Sequence, residues 1–190
     1  MENLDVLFLI SKLLNKNRSV LMHGRRVARL ACAIAREIKY RAAGIEDVCL
    51  AAITHDIGKL HLPKEIINKP GALDEEESAV IREHTRIGHI LLHIIKSSPL
   101  TAEVALQHHE RLDGSGYPFG LRASQINPLA KIISVADVVD TMISPQVYKP
   151  AMAVEAALSE IRQNSGSLYD PEVVSAALII VKRRGKGIYP

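Results

Sequence analysis

Histidine and aspartate recur along this chain at positions where they could bind metal together. The most compact group is the His55-Asp56 dipeptide, which ends an apolar run and offers an imidazole beside a carboxylate. Because a carboxylate has two oxygens, Asp56 could bridge two cations, and mixed nitrogen and oxygen donors suit Mn, Fe, Zn and similar ions. One such pair is weak evidence for a metal site, so the remaining ligands must come from elsewhere in the chain.

Further candidate ligands lie on four other segments: His23, His84, His108, His109 and Asp137. The first two fall on apolar faces of helix-like patterns, and the adjacent histidines end another such pattern. Asp137 lies in the apolar stretch IISVADVVD, where an unpaired charge is costly. Each of these residues alone is best explained as structural. With the dipeptide they make seven inward-facing donors on five segments, and that set predicts a metal centre.

Three other histidines are not expected to join this set. His89 and His93 are four residues apart, which is itself a metal-ligand spacing. At about 100° per residue, however, they lie about 140° and 180° around the helix from His84. They should therefore face solvent or a neighbouring helix. His61 belongs to no periodic face and is expected at the surface.

Length and composition predict one domain with an aliphatic core. The 190 residues are 47% hydrophobic but only 4% aromatic, without Trp, which favours helices. A net charge of +3 is too small to indicate a DNA-binding protein. Cys32 and Cys49 lie in apolar patterns, so we expect no disulfide framework and a reducing cytoplasm. The first apolar run is too short to span a bilayer, so no membrane association is expected.

The period of the apolar residues predicts an all-α fold, a single bundle of about seven to eight helices. An amphipathic helix at about 2–14 precedes helices at about 19–39, 45–56, 74–96, 100–109, 128–142, 151–162 and 171–183. Asp74 with the three glutamates after it is typical of a helix start. Glycines and prolines between 58 and 73 indicate a loop with one short helical turn.

In this order, the residues resemble the HD-GYP family of HD-superfamily phosphohydrolases. The match runs from about residue 19 to 175 and rests on His23, HDIGK at 55–59, KPGAL at 69–73, His84 with Gly88, HHERLDGSGYP at 108–118 and VADVVD at 135–140. The resemblance implies an N-terminal helix and connection at 1–18 and an HD-GYP domain with an HD-type helical bundle at 19–190. It also implies hydrolysis of the bacterial second messenger cyclic di-GMP to the linear dinucleotide, and in some members on to GMP.

The resemblance assigns the ligands to two divalent transition-metal ions, with Fe or Mn expected before Zn, Ni or Co. One ion would be held by His23, His55, Asp56 and Asp137. The other would share Asp56 and be held by His84, His108 and His109. A hydroxide bridging the two ions would then attack the phosphate.

The resemblance also implies catalytic and substrate-binding residues. The catalytic residues would be Asp56, Lys59 and Asp140, of which Lys59 meets the scissile phosphate with a compact positive charge. Asp140 matches the second acid of the family's D-x-x-D motif. The substrate-binding residues would be Lys59, Gly116, Tyr117, Pro118, Tyr148 and Lys149. Glu110 and Arg111 are expected to hold the helix end or its loop rather than to bind metal.

Two positions depart from the family pattern. Ser19 stands where members with a third metal carry Glu, so we expect two metals. Gln146 stands where an Arg is usual. Gln cannot replace an arginine that donates two hydrogen bonds to a phosphate, so weaker substrate binding or altered substrate choice is expected.

Two other functions stay open at this point. The domain could be a catalytically weak or inactive module that binds the nucleotide or a protein such as a diguanylate cyclase or a regulatory partner. It could instead be an HD phosphohydrolase for another nucleotide.

Overall fold

The computed structural model describes Ser11, residues 18–144 and residues 153–184, apart from the side chain of Arg184. These residues form nine α-helices and one 3₁₀ helix: α1 Arg18–Glu37, α2 Ile45–Thr54, the 3₁₀ helix Ile57–His61, α3 Lys64–Ile67, α4 Glu75–Arg82, α5 His84–Ile94, α6 Pro99–Gln107, α7 Pro128–Ile143, α8 Val154–Gln163 and α9 Pro171–Arg184. Eight of the nine α-helices have eight or more residues, so the predicted all-α bundle is confirmed.

Some expectations concern residues outside this description. The predicted helix at 2–14 lies outside the described residues except for Ser11, and the domain boundary at residue 18 stays a prediction. Among the described residues, we find no helix with the length and apolar character needed to cross a membrane.

Helices α1 and α7 form the centre of the bundle. Helix α1 packs against α2 and α7, and α7 also contacts α6, α8 and α9. The buried side chains on these helices are mostly aliphatic, among them Leu30, Ile34, Leu129, Ile132 and Ile133. Burying each such side chain contributes roughly 1.5–3 kcal/mol, so this core holds the helices that carry the candidate ligands in fixed positions.

Two glycines allow helices to approach closely beside the candidate ligands. A Cβ at Gly24 on α1 would lie 2.5 Å from the carbonyl oxygen of Ile53 on α2. A Cβ at Gly58 in the 3₁₀ helix would overlap the carbonyl oxygen of His84 and lie 2.7 Å from the backbone nitrogen of Gly88 on α5. Both contacts require glycine, and both bring ligand-bearing elements together.

The helix predicted at 74–96 is two helices. Its start is as expected, because Asp74 accepts a hydrogen bond from the Glu77 backbone at 2.9 Å and Glu77 accepts one from the Asp74 backbone at 3.1 Å. The helix is interrupted at Glu83, although that residue keeps φ −63° and ψ −17°. Since Glu83 keeps helical angles, the apolar period continues across the break and gave no sign of it.

Cys32 on α1 and Cys49 on α2 form a disulfide, with Cα atoms 6.1 Å apart. This differs from the expectation that the two cysteines form no disulfide framework. They are 17 residues apart and meet because α1 and α2 pack side by side. Neither the spacing nor the apolar context of the cysteines reveals such a pairing.

Candidate metal centre

Side chains from five parts of the fold meet at one cluster. They comprise His23 on α1, His55 and Asp56 between α2 and the 3₁₀ helix, His84 at the start of α5, His108 and His109 after α6, and Asp137 on α7. The structure thus brings together all seven residues predicted as ligands. Most are buried, as expected for polar groups that satisfy one another or an ion.

The Asp56 carboxylate lies between two groups of potential ligands. Its Oδ1 is 3.2 Å from His84 Nε2 and 3.9 Å from His108 Nε2. Its Oδ2 is 3.5 Å from His55 Nε2 and 3.8 Å from His23 Nε2. Ligand atoms of Asp56, His84, His108 and His109 all lie within 4.8 Å of one another, as do those of His23, His55 and Asp56. Each carboxylate oxygen therefore faces its own set of imidazoles.

Hydrogen bonds on the outer side of the cluster orient four of these imidazoles. In each, Nδ1 bonds to an oxygen and Nε2 is turned toward the cluster: His55 to Ala52 O at 2.7 Å, His84 to Ile81 O at 2.6 Å, His108 to Ala105 O at 3.0 Å and His23 to Asp140 Oδ2 at 2.7 Å. Such outer bonds fix the tautomer and ring plane of metal-binding histidines.

Two buried polar atoms in the cluster support metal binding. Within the described part of the chain, His55 Nε2 and Asp56 Oδ1 have no hydrogen-bond partner. A buried polar atom left unsatisfied costs about 1–3 kcal/mol, so such atoms need an explanation. A cation among these nitrogen and oxygen donors would satisfy both atoms, and the donor set suits a divalent transition metal. The residues therefore fit a metal centre.

Burial keeps several histidines of the cluster neutral, which is the form that binds metal. It lowers the pKa of His84 to about 4, although the charge of Asp56 opposes this effect. Burial and the neighbouring imidazoles also hold the pKa values of His108 and His109 well below the ordinary range. His23 differs: burial opposes its charge, but hydrogen bonds to Asp137 and Asp140 outweigh this and raise its pKa to about 9.

The two carboxylates among the candidate ligands, Asp56 and Asp137, remain ionised. Burial alone would raise the pKa of Asp56, but the nearby charge of Lys59 and the surrounding imidazoles hold it well below its ordinary value. Burial likewise opposes ionisation of Asp137, but the hydrogen bond from His23 and the charge of that ring lower its pKa. The cluster thus offers anionic oxygens to a cation.

Two of the residues predicted as catalytic differ in their access to the cavity. Lys59 lines the cavity and places its Nζ 2.6 Å from Asp56 Oδ2. Asp140 is fully buried and accepts a hydrogen bond from His23. It also accepts two from Arg26, from Nε at 2.8 Å and from Nη2 at 3.0 Å. It is not among the described residues that line the cavity. Sequence reasoning missed Arg26, whose link to Asp140 leaves no local pattern.

The loop after α6 brings Tyr117 to the cluster. The Tyr117 ring stacks on His109 with centroids 4.7 Å apart, and the tyrosine lines the cavity. A Cβ at Gly116 would lie 2.5 Å from three backbone atoms, so only glycine fits before the tyrosine. Pro118 follows through a cis peptide bond and, like Gly116, is not among the described lining residues.

Glu110 and Arg111, which follow the adjacent histidines, hold the loop after α6, as predicted. Glu110 is buried and accepts hydrogen bonds from the backbone nitrogens of Phe119 at 2.8 Å and Leu121 at 2.9 Å. Arg111 donates to Ser134 on α7 at 2.7 Å. Their contacts therefore fix the loop against the bundle.

The histidines set aside from the sequence lie outside the cluster. Nδ1 of His89 lies 3.1 Å from the Ala102 carbonyl on the neighbouring helix α6, and His93 is exposed. His61 is exposed as well. Their positions agree with the expectation that they face solvent or a neighbouring helix.

A cavity of about 1010 Å³ opens above the cluster. Its floor includes His23, Asp56, His84, His109 and Asp137, and one wall is formed by Ile66–Lys69, Gly71–Leu73, Ser78 and Ile81. Ser19 also lines it, whereas Gln146, Tyr148 and Lys149 lie outside the described residues. The volume is at the upper end of the range of about 300–1,000 Å³ for small-molecule sites, which suits a large ligand.

Comparison with known families agrees with this architecture. Residues 8–173 match the family model of the HD domain. The chain belongs to the HD domain family. The HD-superfamily membership predicted from the ordered histidines and aspartates is thus confirmed.

The chain is similar to curated proteins that are named as phosphodiesterases of cyclic dinucleotides. A cyclic di-GMP phosphodiesterase of Thermotoga maritima is 40% identical over 185 residues, which are 94% of this chain and 50% of that protein. A 3'3'-cGAMP-specific phosphodiesterase of Vibrio cholerae is 35% identical over 147 residues, 77% of this chain and 34% of that protein. The chain thus spans half or less of the length of these relatives.

A solved structure shares the HD-domain fold. An HDG"Y"P protein from Bdellovibrio bacteriovorus superposes with a TM-score of 0.73 at 20% identity, over 95% of this chain and 62% of that one. At this identity the likeness concerns the fold, and it agrees with the helical bundle described above.

Proposed function

We propose that this HD domain is a metal-dependent phosphodiesterase of the HD-GYP type that hydrolyses cyclic di-GMP to the linear dinucleotide. The carrying observation is the Asp56 carboxylate, placed between two sets of imidazoles at the floor of a large cavity. The similarity to the Thermotoga maritima phosphodiesterase supports the choice of substrate. An intracellular second messenger as substrate implies a cytoplasmic location, and a diguanylate cyclase or a regulatory protein is the proposed kind of partner.

Two divalent cations, Fe or Mn in preference to Zn, Ni or Co, are proposed to bind the seven donors. His23, His55, Asp56 and Asp137 would hold one, and Asp56, His84, His108 and His109 the other. When bound, such a pair activates water near neutral pH and offsets the negative charge that develops on phosphate.

Lys59 is proposed to contact the phosphate that is cleaved. Its ammonium lies beside Asp56 and faces the cavity, so a phosphate above the cluster would be within its reach. A fixed cation at this point stabilises negative charge on a non-bridging oxygen as the transition state forms. Lys59 is thus assigned to charge stabilisation and Asp56 to ligand bridging.

Tyr117 is proposed to form a wall of the substrate site. Burial raises the pKa of its phenol, so the ring is neutral at physiological pH. Its stacking on His109 fixes that ligand, and its position in the cavity allows contact with a nucleotide. Gly116 and Pro118 are assigned to positioning Tyr117, and the proposed contacts of Tyr148 and Lys149 lie outside the described residues.

Substitution of Asp56 tests this proposal directly. Wild-type protein should contain about two metal ions per chain and convert cyclic di-GMP to the linear dinucleotide. Asp56→Ala should lose both properties, because it removes the oxygens that face both histidine groups. Metal analysis with chromatography of the products measures these outcomes, and His89→Ala provides a control histidine outside the cluster. Full occupancy with Mn and with Fe but no product would contradict catalysis and favour a binding module.

A second substrate, 3'3'-cGAMP, is favoured by the Vibrio cholerae relative that is specific for it. Parallel measurement of kcat/KM for cyclic di-GMP and 3'3'-cGAMP at equal metal occupancy decides between them. A higher value for 3'3'-cGAMP would replace the primary proposal.

A further inference from the structure

Lys69 lines the wall of the cavity, and its ion-pair partner, Glu77, lies on α4. The side chain belongs to the segment after α3 and binds Glu77 Oε2 through its Nζ. Glu77 is also part of the capping box of α4, since it accepts from the Asp74 backbone. The wall residue and the helix start are thereby joined by one ion pair.

This ion pair is more exposed than those of the other acid-bound lysine and arginine in the cavity. Lys59 and Arg26 bind carboxylates that are only 3% and 0% exposed, respectively. Lys69 is 35% exposed and Glu77 23% exposed. Exposed ion pairs add little stability because water screens them, whereas breaking a buried pair is costly. Lys69 can therefore exchange its partner at less cost than Lys59 or Arg26.

We propose that Lys69 exchanges Glu77 for the second phosphate of a cyclic dinucleotide and so determines specificity for that class of substrate. This inference rests on the proposed function. A cyclic dinucleotide carries two phosphodiester groups, and the cluster with Lys59 accommodates the one that is cleaved. The other group remains negatively charged inside the same cavity. There the Lys69 ammonium can bind it as a compact positive charge that donates hydrogen bonds to the phosphate oxygens.

The experiment compares substrates with two phosphodiesters and with one. Cyclic di-GMP is assayed beside bis(p-nitrophenyl) phosphate on the metal-loaded protein and on Lys69→Met. The variant should raise KM for cyclic di-GMP roughly tenfold or more, the effect of one lost charged contact, and should change kcat little. Hydrolysis of bis(p-nitrophenyl) phosphate should stay within about twofold. Lys64→Met on α3 is the matched control, because Lys64 is exposed and outside the cavity lining.

Substitution of Glu77 should act in the opposite direction. Glu77→Gln keeps an oxygen that can accept from the Asp74 backbone but removes the charge that competes for Lys69. KM for cyclic di-GMP should then fall about two- to fivefold. Lys69→Arg retains the charge and should recover most of the affinity lost in Lys69→Met.

The outcomes separate this inference from the proposed function. If wild-type protein does not hydrolyse cyclic di-GMP, the proposed function fails, and calorimetric binding of the same nucleotide to the variants still tests Lys69. Equal effects of Lys69→Met on both substrates, or changes in the same direction for Lys69→Met and Glu77→Gln, show that the pair only holds the wall and overturn the inference. Absence of nucleotide binding in the wild-type protein overturns both.

Discussion

The Asp140 carboxylate lies on the outer side of His23 and is fully buried. It accepts from His23 Nδ1 at 2.7 Å and is held by two hydrogen bonds from Arg26. His23 Nε2, the nitrogen 2.9 Å from Asp137, is thereby directed toward the cluster. Asp140 was expected to be catalytic from its match to the D-x-x-D motif, but these contacts suit a positioning residue that orients a metal ligand.

Asp140→Asn should weaken metal binding more than it impairs catalysis by metal-loaded protein. The amide keeps the shape of the carboxylate but loses the charge that orients His23, and the loss of such partners weakens metal affinity by about 10–100-fold. Calorimetric titration of metal-free protein with Mn²⁺ measures this. At saturating Mn²⁺, kcat/KM should return close to the wild-type value.

The control for this substitution is Asp47→Asn in the first turn of α2, at the opposite end of that helix from His55 and Asp56, where the Asp47 carboxylate accepts from the Gly44 backbone and not from a candidate ligand. A low kcat/KM that persists in Asp140→Asn at full metal occupancy would instead assign Asp140 a direct role in the reaction.

The candidate ligands could be predicted from the sequence because histidine and aspartate are unusual on apolar helical faces. Their partners could not. Arg26 and Asp140 are 114 residues apart, and Lys69 meets Glu77 across a loop, so no periodic pattern marks either pair. The stacking of Tyr117 on His109 depends on a turn whose path is fixed by backbone contacts at Gly116. Ligand types are thus visible in a sequence, whereas the contacts that orient them depend on the fold.

Helix ends were predictable where the sequence carries caps or prolines. Pro128 and Pro171 begin α7 and α9, and Asp74 caps α4, all as expected. The break at Glu83 has neither glycine nor proline, and the backbone angles there remain helical. The apolar period therefore did not reveal this break, although it determines that His84 is the first residue of α5.

The contact between the 3₁₀ helix and α5 gives a prediction about Gly58. Gly58→Ala should destabilise the protein by about 2–3 kcal/mol, because its Cβ would overlap the backbone of His84 and the helices would have to move apart. Urea denaturation of metal-free protein measures this change in the free energy of unfolding.

Gly88→Ala tests the same contact from the other side. The nearest atom to a Cβ at Gly88 is 3.4 Å away, and alanine favours a helix over glycine by about 1 kcal/mol. This variant should therefore lie within about 1 kcal/mol of wild type. Equal destabilisation by the two substitutions would contradict the assigned contact.

At the scale of the whole molecule, the candidate ligands join elements from the start of α1 to the middle of α7. The separate elements are held by an aliphatic core, but the cluster itself buries two ionised carboxylates and several neutral imidazoles in one place. Buried polar groups that lack full hydrogen bonding oppose folding, and a cation that binds them only in the folded state favours it. Metal binding and global stability should therefore be coupled.

Removal of metal should lower the melting temperature of the whole domain. A ligand that binds only the folded state stabilises it by about 2.7 kcal/mol at a concentration 100 times its Kd. For a chain of this length, each kcal/mol shifts the melting temperature by roughly 2–4 °C, so Mn²⁺ should raise it by about 5–10 °C over protein treated with EDTA. Differential scanning calorimetry measures the shift. Asp56→Ala should melt at the same temperature with and without Mn²⁺, because it lacks the oxygens that face both histidine groups. An equal rise in wild type and variant would place the stabilising ion elsewhere, and no rise in wild type would contradict coupling between the cluster and the fold.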